Sequence, residues 1–434
     1  MYTRDAQFYD LVGKGLASLG YVGNEALQTF VNDFFSEKYN AERTFAEVGF
    51  PLNPDLPFRP TFEQIEATIR PYTMAAYVDI DSDGPSKSTD GMSLKSGGLP
   101  TFKHEVTLDR KILREKMMLA EALRGTNSEI DNVIVKLLFK GLDDLLGGNY
   151  NTMLYQRHQV VSNLGRLVID AKNNPYGLPV ELDFGVDNSH IYNSAWYEVD
   201  NDGKVSQASG VTNGTVDPIS MLRNIRRKAE MLDGLGACHW EVSKNTYEAI
   251  LTMPYFRNMY AIATRPEVTK DTLRLGWANT IDDATMWNFI QQRIGRVDVI
   301  DAVATVERIN PATHKTMYTT MNSFKDGVFV LVPDGEIGDV QCGRPVYMET
   351  PGSRVALYDG GRTLIRQVFN DENMIQTIKS EVTGLCVPNK TRWFYYVCVG
   401  SGNTVTSTSS TANGMSFLVG DFITDAESRA EGVL

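Results

Sequence analysis

Cysteine and histidine are scarce in this chain: 434 residues hold four cysteines and five histidines. Cys238, Cys342, Cys386 and Cys398 show no Cys-x-x-Cys spacing, which fits a reduced cytoplasmic protein better than a disulfide framework and predicts buried apolar residues. No apolar run approaches the ~20 residues of a membrane span, and Met1-Tyr-Thr-Arg-Asp-Ala-Gln-Phe8 lacks the basic and apolar regions of a secretion signal. Positive charge is also short. Lys and Arg number 42 against 54 Asp and Glu, a formal charge of -12, the wrong sign for wrapping phosphate backbones over a broad surface. Gly-x-Ser-x-Gly, His-Glu-x-x-His and Gly-x-x-x-x-Gly-Lys-Ser/Thr strings are missing, which removes the commonest locally readable nucleophile, zinc and phosphate sites.

What is present is an ordinary globular composition, 42% hydrophobic and 22% charged, in a chain long enough for one large composite fold or two domains. The first seventy residues read as an arm of short amphipathic helices. Leu27, Phe30, Val31, Phe34 and Phe35 share a face after a cap at Asn24. Pro51, Pro54, Pro57 and Pro60 make an extended connector, and a short helix is expected from Thr61. From Tyr72 to about Val106, β-like runs alternate with Asp83-Gly84-Pro85 and Ser96-Gly97-Gly98, the pattern of a long exposed hairpin.

The strongest periodicity follows. Ile130, Val133, Ile134, Leu137, Leu138, Leu142, Leu145 and Leu146 form one stripe behind a capping-box-like Ser128 and Asp131, and the pattern resumes after Gly147-Gly148. Those glycines either kink or split the helix; unbroken to Gly165, it would be about 55 Å long at 1.5 Å per residue. Leu167 to Phe184 reads as a hairpin around Asn173-Asn-Pro-Tyr-Gly, with a second around Asp200 to Gly203. Asp217-Pro218 is an N-cap with proline at the first helical position, and that helix stops at Gly234. Expected next are a strand from Ala237 to Val242, a helix capped by Ser243, a helix from Trp287 to Ile294, extended chain from Val297 to Ile309, a buried strand from Gly327 to Pro333, and late strands at Met374–Glu381 and Trp393–Val399. Ser401 to Gly414 has the composition of a disordered tail.

Few residues look chemical. Asp79-Ile-Asp81-Ser-Asp83-Gly84 matches the opening of a calcium loop, with Asp90 where a bidentate glutamate usually sits. Lys87 at a ligand position, Pro85, and strand-like flanks favour an acidic, solvated hairpin tip instead, so Asp79, Asp81, Asp83 and Asp90 are the candidate ligands only if calcium binds. Gly13-Lys-Gly15 follows no strand and lacks the third glycine of a dinucleotide loop. Adjacent Cys238 and His239 face opposite ways on a strand, and the pairs Asp143-Asp144 and Asp282-Asp283 read as acids near helix ends. Arg223, Arg226 and Arg227 share a helix face beside Lys228, the one local concentration of positive charge, and are expected to meet acidic groups of a neighbour or solvent. No catalytic residue and no cofactor are assigned.

The order of parts (arm, exposed hairpin, very long helix, α/β middle, late returning strands) resembles the HK97-fold major capsid proteins of tailed bacteriophages. Asn173-Asn-Pro-Tyr-Gly with Glu181-Leu-Asp-Phe-Gly is similar to the turn and strand after the spine helix in one branch. Trp196 with Asp217-Pro-Ile-Ser-Met-Leu, Ser243-Lys-Asn-Thr-Tyr-Glu-Ala-Ile-Leu, Gly327 to Gly343, and Ile378 to Pro388 are similar to its later elements. The matches cover roughly residues 72 to 399. Each is short, so their order carries the weight. The resemblance implies an α+β fold with an N-terminal arm (1–71), an E-loop hairpin (72–108), a P-domain with the spine helix (109–254), an A-domain (255–345), a return to the P-domain (346–400) and a tail (401–434). It further implies pentamers and hexamers of an icosahedral, DNA-enclosing head, made in the host cytoplasm, with portal, scaffold and head accessory proteins as partners and no membrane. Phe30, Phe34, Phe35, Ser82, Asp83, Lys87, Lys95, Arg223, Arg226 and Arg227 are then the expected intersubunit contacts. Some members crosslink a hairpin lysine to a neighbour's asparagine; Lys95, Lys103 and Asn389 lie in the corresponding regions, but no motif fixes a pairing. The alternatives are a tail-tube or head-decoration protein, or an α/β-domain hydrolase acting on carbohydrate or nucleotide.

Overall fold

The computed structural model describes residues 41–67, 92–108, 128–175, 179–199, 205–267, 270–309, 316–345, 353–370 and 375–401. The expected arm helix with Phe30, Phe34 and Phe35, the hairpin tip with its acidic string, Gly13 to Gly15 and the Ser/Thr-rich tail lie outside them. In chain order the elements are α1 (Ala41–Glu47), β1 (Thr61–Ala67), β2 (Met92–Gly98), β3 (Thr101–Leu108), α2 (Ser128–Ser162), β4 (Arg166–Ile169), β5 (Val180–Asp183), β6 (Ile191–Val199), β7 (Val205–Gln207), α3 (Pro218–Leu232), β8 (Cys238–Ser243), α4 (Lys244–Thr252), α5 (Pro254–Thr264), α6 (Asp271–Ala278) and α7 (Asp283–Ile294). They continue with β9 (Val297–Ile300), β10 (Val303–Ile309), β11 (Thr316–Asn322), β12 (Val328–Pro333), β13 (Gly338–Gly343), β14 (Ser353–Tyr358), β15 (Thr363–Asn370), β16 (Ile375–Pro388) and β17 (Tyr395–Ser401). The fold is α+β, and the chain divides into two compact units: Met1–Glu63, Ser96–Leu154 and Asp339–Val387 form the first, and the intervening segments with the C-terminus form the second.

The first unit is built on β16. Fourteen residues long, it pairs antiparallel with β15 along one edge and with β3 along the other, while β14 extends the sheet beyond β15 and β13 joins the far end of β16. Lys103 and Glu381 stand opposite each other across β3 and β16 and form an ion pair at 2.7 Å, as do Glu105 and Lys379. Thr61 opens a strand, not the helix its sequence suggested: β1 pairs with β2, Phe62 is buried, and the Pro60 carbonyl accepts from the Leu99 amide at 2.8 Å. The apolar spacing of Phe62 and Ile65 is helical, but a strand partner and a buried ring outweigh so short a signal.

Gly147-Gly148 does not split α2, which runs 35 residues without a break, about 52 Å. A physical reason is visible at Gly148. A Cβ there would lie 3.1 Å from the His104 ring on β3, so glycine lets helix and strand approach closely, which offsets its poor helix propensity. Asp143 and Asp144 therefore sit within the helix and not near its end, contrary to expectation.

The second unit is organised around β12, whose six residues are all buried. It lies between β17 and β8, antiparallel to both, in a six-stranded sheet of order β7-β6-β17-β12-β8-β9. Alternate residues divide the work between the faces. Phe329 and Leu331, with Trp240, Val242, Tyr395 and Val397, pack on apolar residues of α3, α4, α5 and α7 such as Leu222, Ile250, Phe256 and Ile290. Glu241, on the opposite face, meets the last turns of α2. Helices thus cover both sides. Asp217, Ser243 and Asp282 cap α3, α4 and α7 by accepting from Ser220, Thr246 and Thr285 amides, and Pro218 opens α3. The pairing of β4 with β5 and of β6 with β7 matches the two expected hairpins.

Phe329 is the centre of an aromatic cluster, its ring 5.5 Å from Trp196 and 6.1 Å from Trp240. Phe329→Ala should lower the stability of the second unit by about 3–5 kcal/mol. A urea titration followed by tryptophan fluorescence will read this as a lower midpoint; an unchanged midpoint would contradict the packing described.

Candidate functional site: a buried charge centre and the exposed surfaces around it

Arg157 extends from α2 to the polar face of the sheet, where Nη1 donates to Glu241 Oε2 at 2.7 Å and Nη2 to Oε1, a bidentate pair with both side chains buried. Burial alone would raise the Glu241 carboxyl, but the Arg157 charge and the neighbouring His239 prevail and hold it down at about 2. His239 stands between carboxylates. Its Nδ1 is 2.5 Å from Asp334 Oδ1, and its Nε2 is 3.6 Å from Glu241 Oε1 and 3.7 Å from Asp298 Oδ2. Asp298 is held in turn by Arg296 at 2.6 Å. Burial lowers the His239 pKa, yet the surrounding acids raise it above the ordinary 6.5 on balance. His158, one residue past Arg157, has the reverse environment: burial and the adjacent guanidinium push it down to about 3, so it is neutral.

A second polar group lies further along α2. Lys325 Nζ donates to Asn163 Oδ1 at 2.7 Å, its amide donates to Ser162 Oγ at 3.0 Å, and all three residues are buried. Next to it Asp326 accepts from Ser243, Asn245 and Asn322 at 2.6, 3.0 and 2.9 Å, tying the end of β11 to the start of α4. Sequence reading found none of these. Arg157 lies in a helical pattern 84 residues from its partner, and no spacing signals such a pair.

Two of the three grouped arginines have partners within the chain. α7 ends at Gly295, in the left-handed region at φ 98°, and its last carbonyls are taken by α3: Arg223 Nε donates to the Arg293 carbonyl at 2.7 Å and Arg226 Nη1 to the Ile294 carbonyl at 3.4 Å. These cations satisfy exposed C-terminal carbonyls and complement the helix dipole. Arg226 also pairs with Glu230 at 3.0 Å. Arg227 is exposed and makes no hydrogen bond or ion pair among the described residues. Lys228 donates to the Tyr192 hydroxyl at 2.8 Å.

The remaining expected residues fall as follows. All four cysteines are free and buried. Asp282 caps α7 and Asp283 pairs with Arg257 at 3.2 Å. Lys95 lies on β2, and the Asn389 amide donates to the Ile337 carbonyl. Among the described residues no group of three His, Cys, Asp or Glu is arranged to hold a metal ion. A cavity of about 330 Å³ in the first unit is lined by Asn53, Asp55, Phe58, Arg59, Glu63 and Cys342; its acids stand on exposed chain.

The charge centre gives two expectations. Arg157→Met leaves a buried carboxylate without its partner and should cost about 3–5 kcal/mol, whereas Arg157→Met with Glu241→Leu should recover most of that loss. Urea unfolding of both variants tests this, and equal destabilisation by the two would refute it. Because the folded His239 pKa is raised, its stabilisation is complete below about pH 6.5 and disappears as pH rises through the folded value. That of Glu241 is present above about pH 4.5 and disappears towards about 2. The stability lost in His239→Asn should accordingly be larger at pH 5.5 than at pH 8.5; a loss independent of pH would remove the ionic role of the imidazole.

No protein-family model matches the chain, and no curated protein matches it. Solved structures do. A phage-related protein from Bordetella bronchiseptica RB50 matches with 9% identity over 85% of this chain and 95% of its own, at a TM-score of 0.38. The procapsid of satellite phage P4, including its size determination protein, matches with 9% identity over 84% and 99%, also at 0.38. The capsid of Myoviridae phage XM1 matches with 10% identity over 82% and 91%, at 0.37.

Proposed function

We propose that this chain is a major capsid protein of the HK97-like kind, which self-assembles into pentamers and hexamers of the shell enclosing phage double-stranded DNA. The observation that carries the reading is the order of elements along the chain: β1 and β2 pair although 24 residues separate them in sequence, a 35-residue helix follows, then the β4–β5 hairpin from Arg166 to Asp183, an α/β unit, and strands that return to the first unit. Those are the parts, in sequence, on which the resemblance was drawn. The exposed charge also suits the role, since a net -12 favours a wall that encloses DNA without gripping it.

In this reading residues 1–71 are the arm, 72–108 the E-loop, 109–254 and 346–400 the P-domain and 255–345 the A-domain, with portal, scaffold and accessory proteins as further partners in the virion. Phe30, Phe34 and Phe35 of the arm would pack between subunits or under the spine helix, and Ser82, Asp83, Lys87 and Lys95 of the hairpin would lie on a neighbouring subunit. Arg227 is the member of its cluster most open to a neighbour's acid, while Arg223 and Arg226 keep further N–H donors beyond those given to α7.

Expression of the full chain, followed by size exclusion with light scattering and negative-stain imaging of the large fraction, tests the reading. Closed shells, or rings of five and six, are expected. A monodisperse monomer that persists at high concentration and with crowding agents would overturn it.

A further inference from the structure

The second unit holds another buried cation besides Arg157, and its contact is of a different kind. Lys325 Nζ donates to Asn163 Oδ1 at 2.7 Å, with Asn163 4% and Lys325 8% exposed. A buried ammonium is ordinarily matched by a carboxylate. The acceptor here is a carboxamide, whose carbon is an electrophile and whose nitrogen can leave. An amine hydrogen-bonded to a carbonyl oxygen at this distance and at the usual angle stands roughly 3.5 Å from the carbonyl carbon, the separation of a near-attack arrangement.

Both side chains are held where they meet. Asn163 follows α2 directly; its amide donates to the Gln159 carbonyl at 2.8 Å, and its carbonyl accepts from the Arg166 amide at 2.9 Å. Lys325 is fixed through its own amide to Ser162 Oγ at 3.0 Å, and Ser162 Oγ donates in turn to the His158 carbonyl at 2.7 Å. Beyond it Asp326 is held by Ser243, Asn245 and Asn322. An amine and an amide fixed in this way react as though at effective concentrations of up to about 10⁵–10⁸ M, and burial keeps out water, the competing nucleophile.

We propose that Lys325 and Asn163 condense in the folded chain to an isopeptide bond. The Nζ–Cγ bond forms and the Cγ–Nδ2 bond breaks. Two of the three protons on Nζ leave with the Asn163 nitrogen as an ammonium ion, so atoms and charge balance without oxidant, metal or cofactor. The driving force lies in the burial: a charge withdrawn from water is exchanged for a neutral amide, and the departing ion is solvated. The bond joins residues 162 apart in sequence, and so constrains the unfolded chain as a disulfide would. All four cysteines are free, and a staple of this kind is one that reducing agents do not open. The pair lies within one chain, away from Lys95, Lys103 and Asn389, and the inference goes beyond the shell reading without depending on it.

Mass spectrometry of the purified full chain, kept folded as the free subunit, is the test. The intact mass should fall by about 17 Da, the loss of ammonia, trypsin should no longer cut after Lys325, and a branched peptide should join the segments containing Asn163 and Lys325. The branched peptide should be at least about tenfold more abundant than in chain held unfolded in urea, because the proximity is lost there. Lys325→Arg and Asn163→Ala should each keep the full mass and melt at a lower temperature than the wild type. A folded wild-type chain that keeps its full mass would overturn the inference. So would a loss of ammonia that gives no branched peptide, since a succinimide at Asn213-Gly214 or Asn413-Gly414 produces the same mass change. Should either variant fail to fold, the branched peptide of the wild type decides, and its presence or absence is read on the free subunit whether or not shells form.

Discussion

The buried pairing of Arg157 with Glu241 is the constraint on which the second unit depends. Taking a guanidinium and a carboxylate out of water costs several kcal/mol for each ion, and their attraction returns it only when both groups are in place. The pair therefore acts less as a source of net stability than as a condition on geometry. Glu241 lies between Trp240 and Val242, which face the apolar cluster on the other side of β8. A one-residue slip of β8 against β12 would turn Glu241 into that cluster and leave Arg157 buried alone. The slipped register is excluded whatever the intact pair contributes, and the last turns of α2 are fixed against one face of the sheet.

Much of the second unit was legible because its signals are local. Asp217 before Pro218, Ser243 before Lys244 and the apolar run from Val328 to Val332 each declare an element within a few residues, and the structure has a helix, a helix and a buried strand there. Thr61 shows where locality fails. Phe62 and Ile65 suggest a helix, but the strand is decided by β2, some thirty residues on, and by the space Gly97 leaves for the Phe62 ring. Gly148 was ambiguous for the same reason, since what its missing side chain admits is His104 on another element. The charge centre was invisible. Strand alternation places Glu241 beside His239 on β8, but nothing near Arg157 indicates that it will meet Glu241, and nothing near His239 indicates that Asp298 and Asp334 will join it. The basic cluster was visible as composition, but two of its members answer to the end of a helix 68 and 70 residues away.

The alternation of the chain between its two units makes distant pairings a general condition. β3 meets β16 in the first unit, where Thr101 and Thr383 hydroxyls lie 2.8 Å apart across a separation of 282 residues, and β12 requires both β8 and β17 in the second. Neither unit can be completed by an N-terminal portion of the chain. Pairings of this range close slowly, because the loop entropy is lost before the contacts repay it.

The β10–β11 ribbon is different in kind, a local hairpin that can form well before β12 is enclosed. Its strand β11 carries no charged residue and is therefore presented by chains whose sheets are incomplete, which is the condition under which wrong strands pair. What opposes this is long-range and non-specific: a net charge of -12, carried by every copy, keeps incomplete chains apart at low ionic strength and does so less as salt screens it.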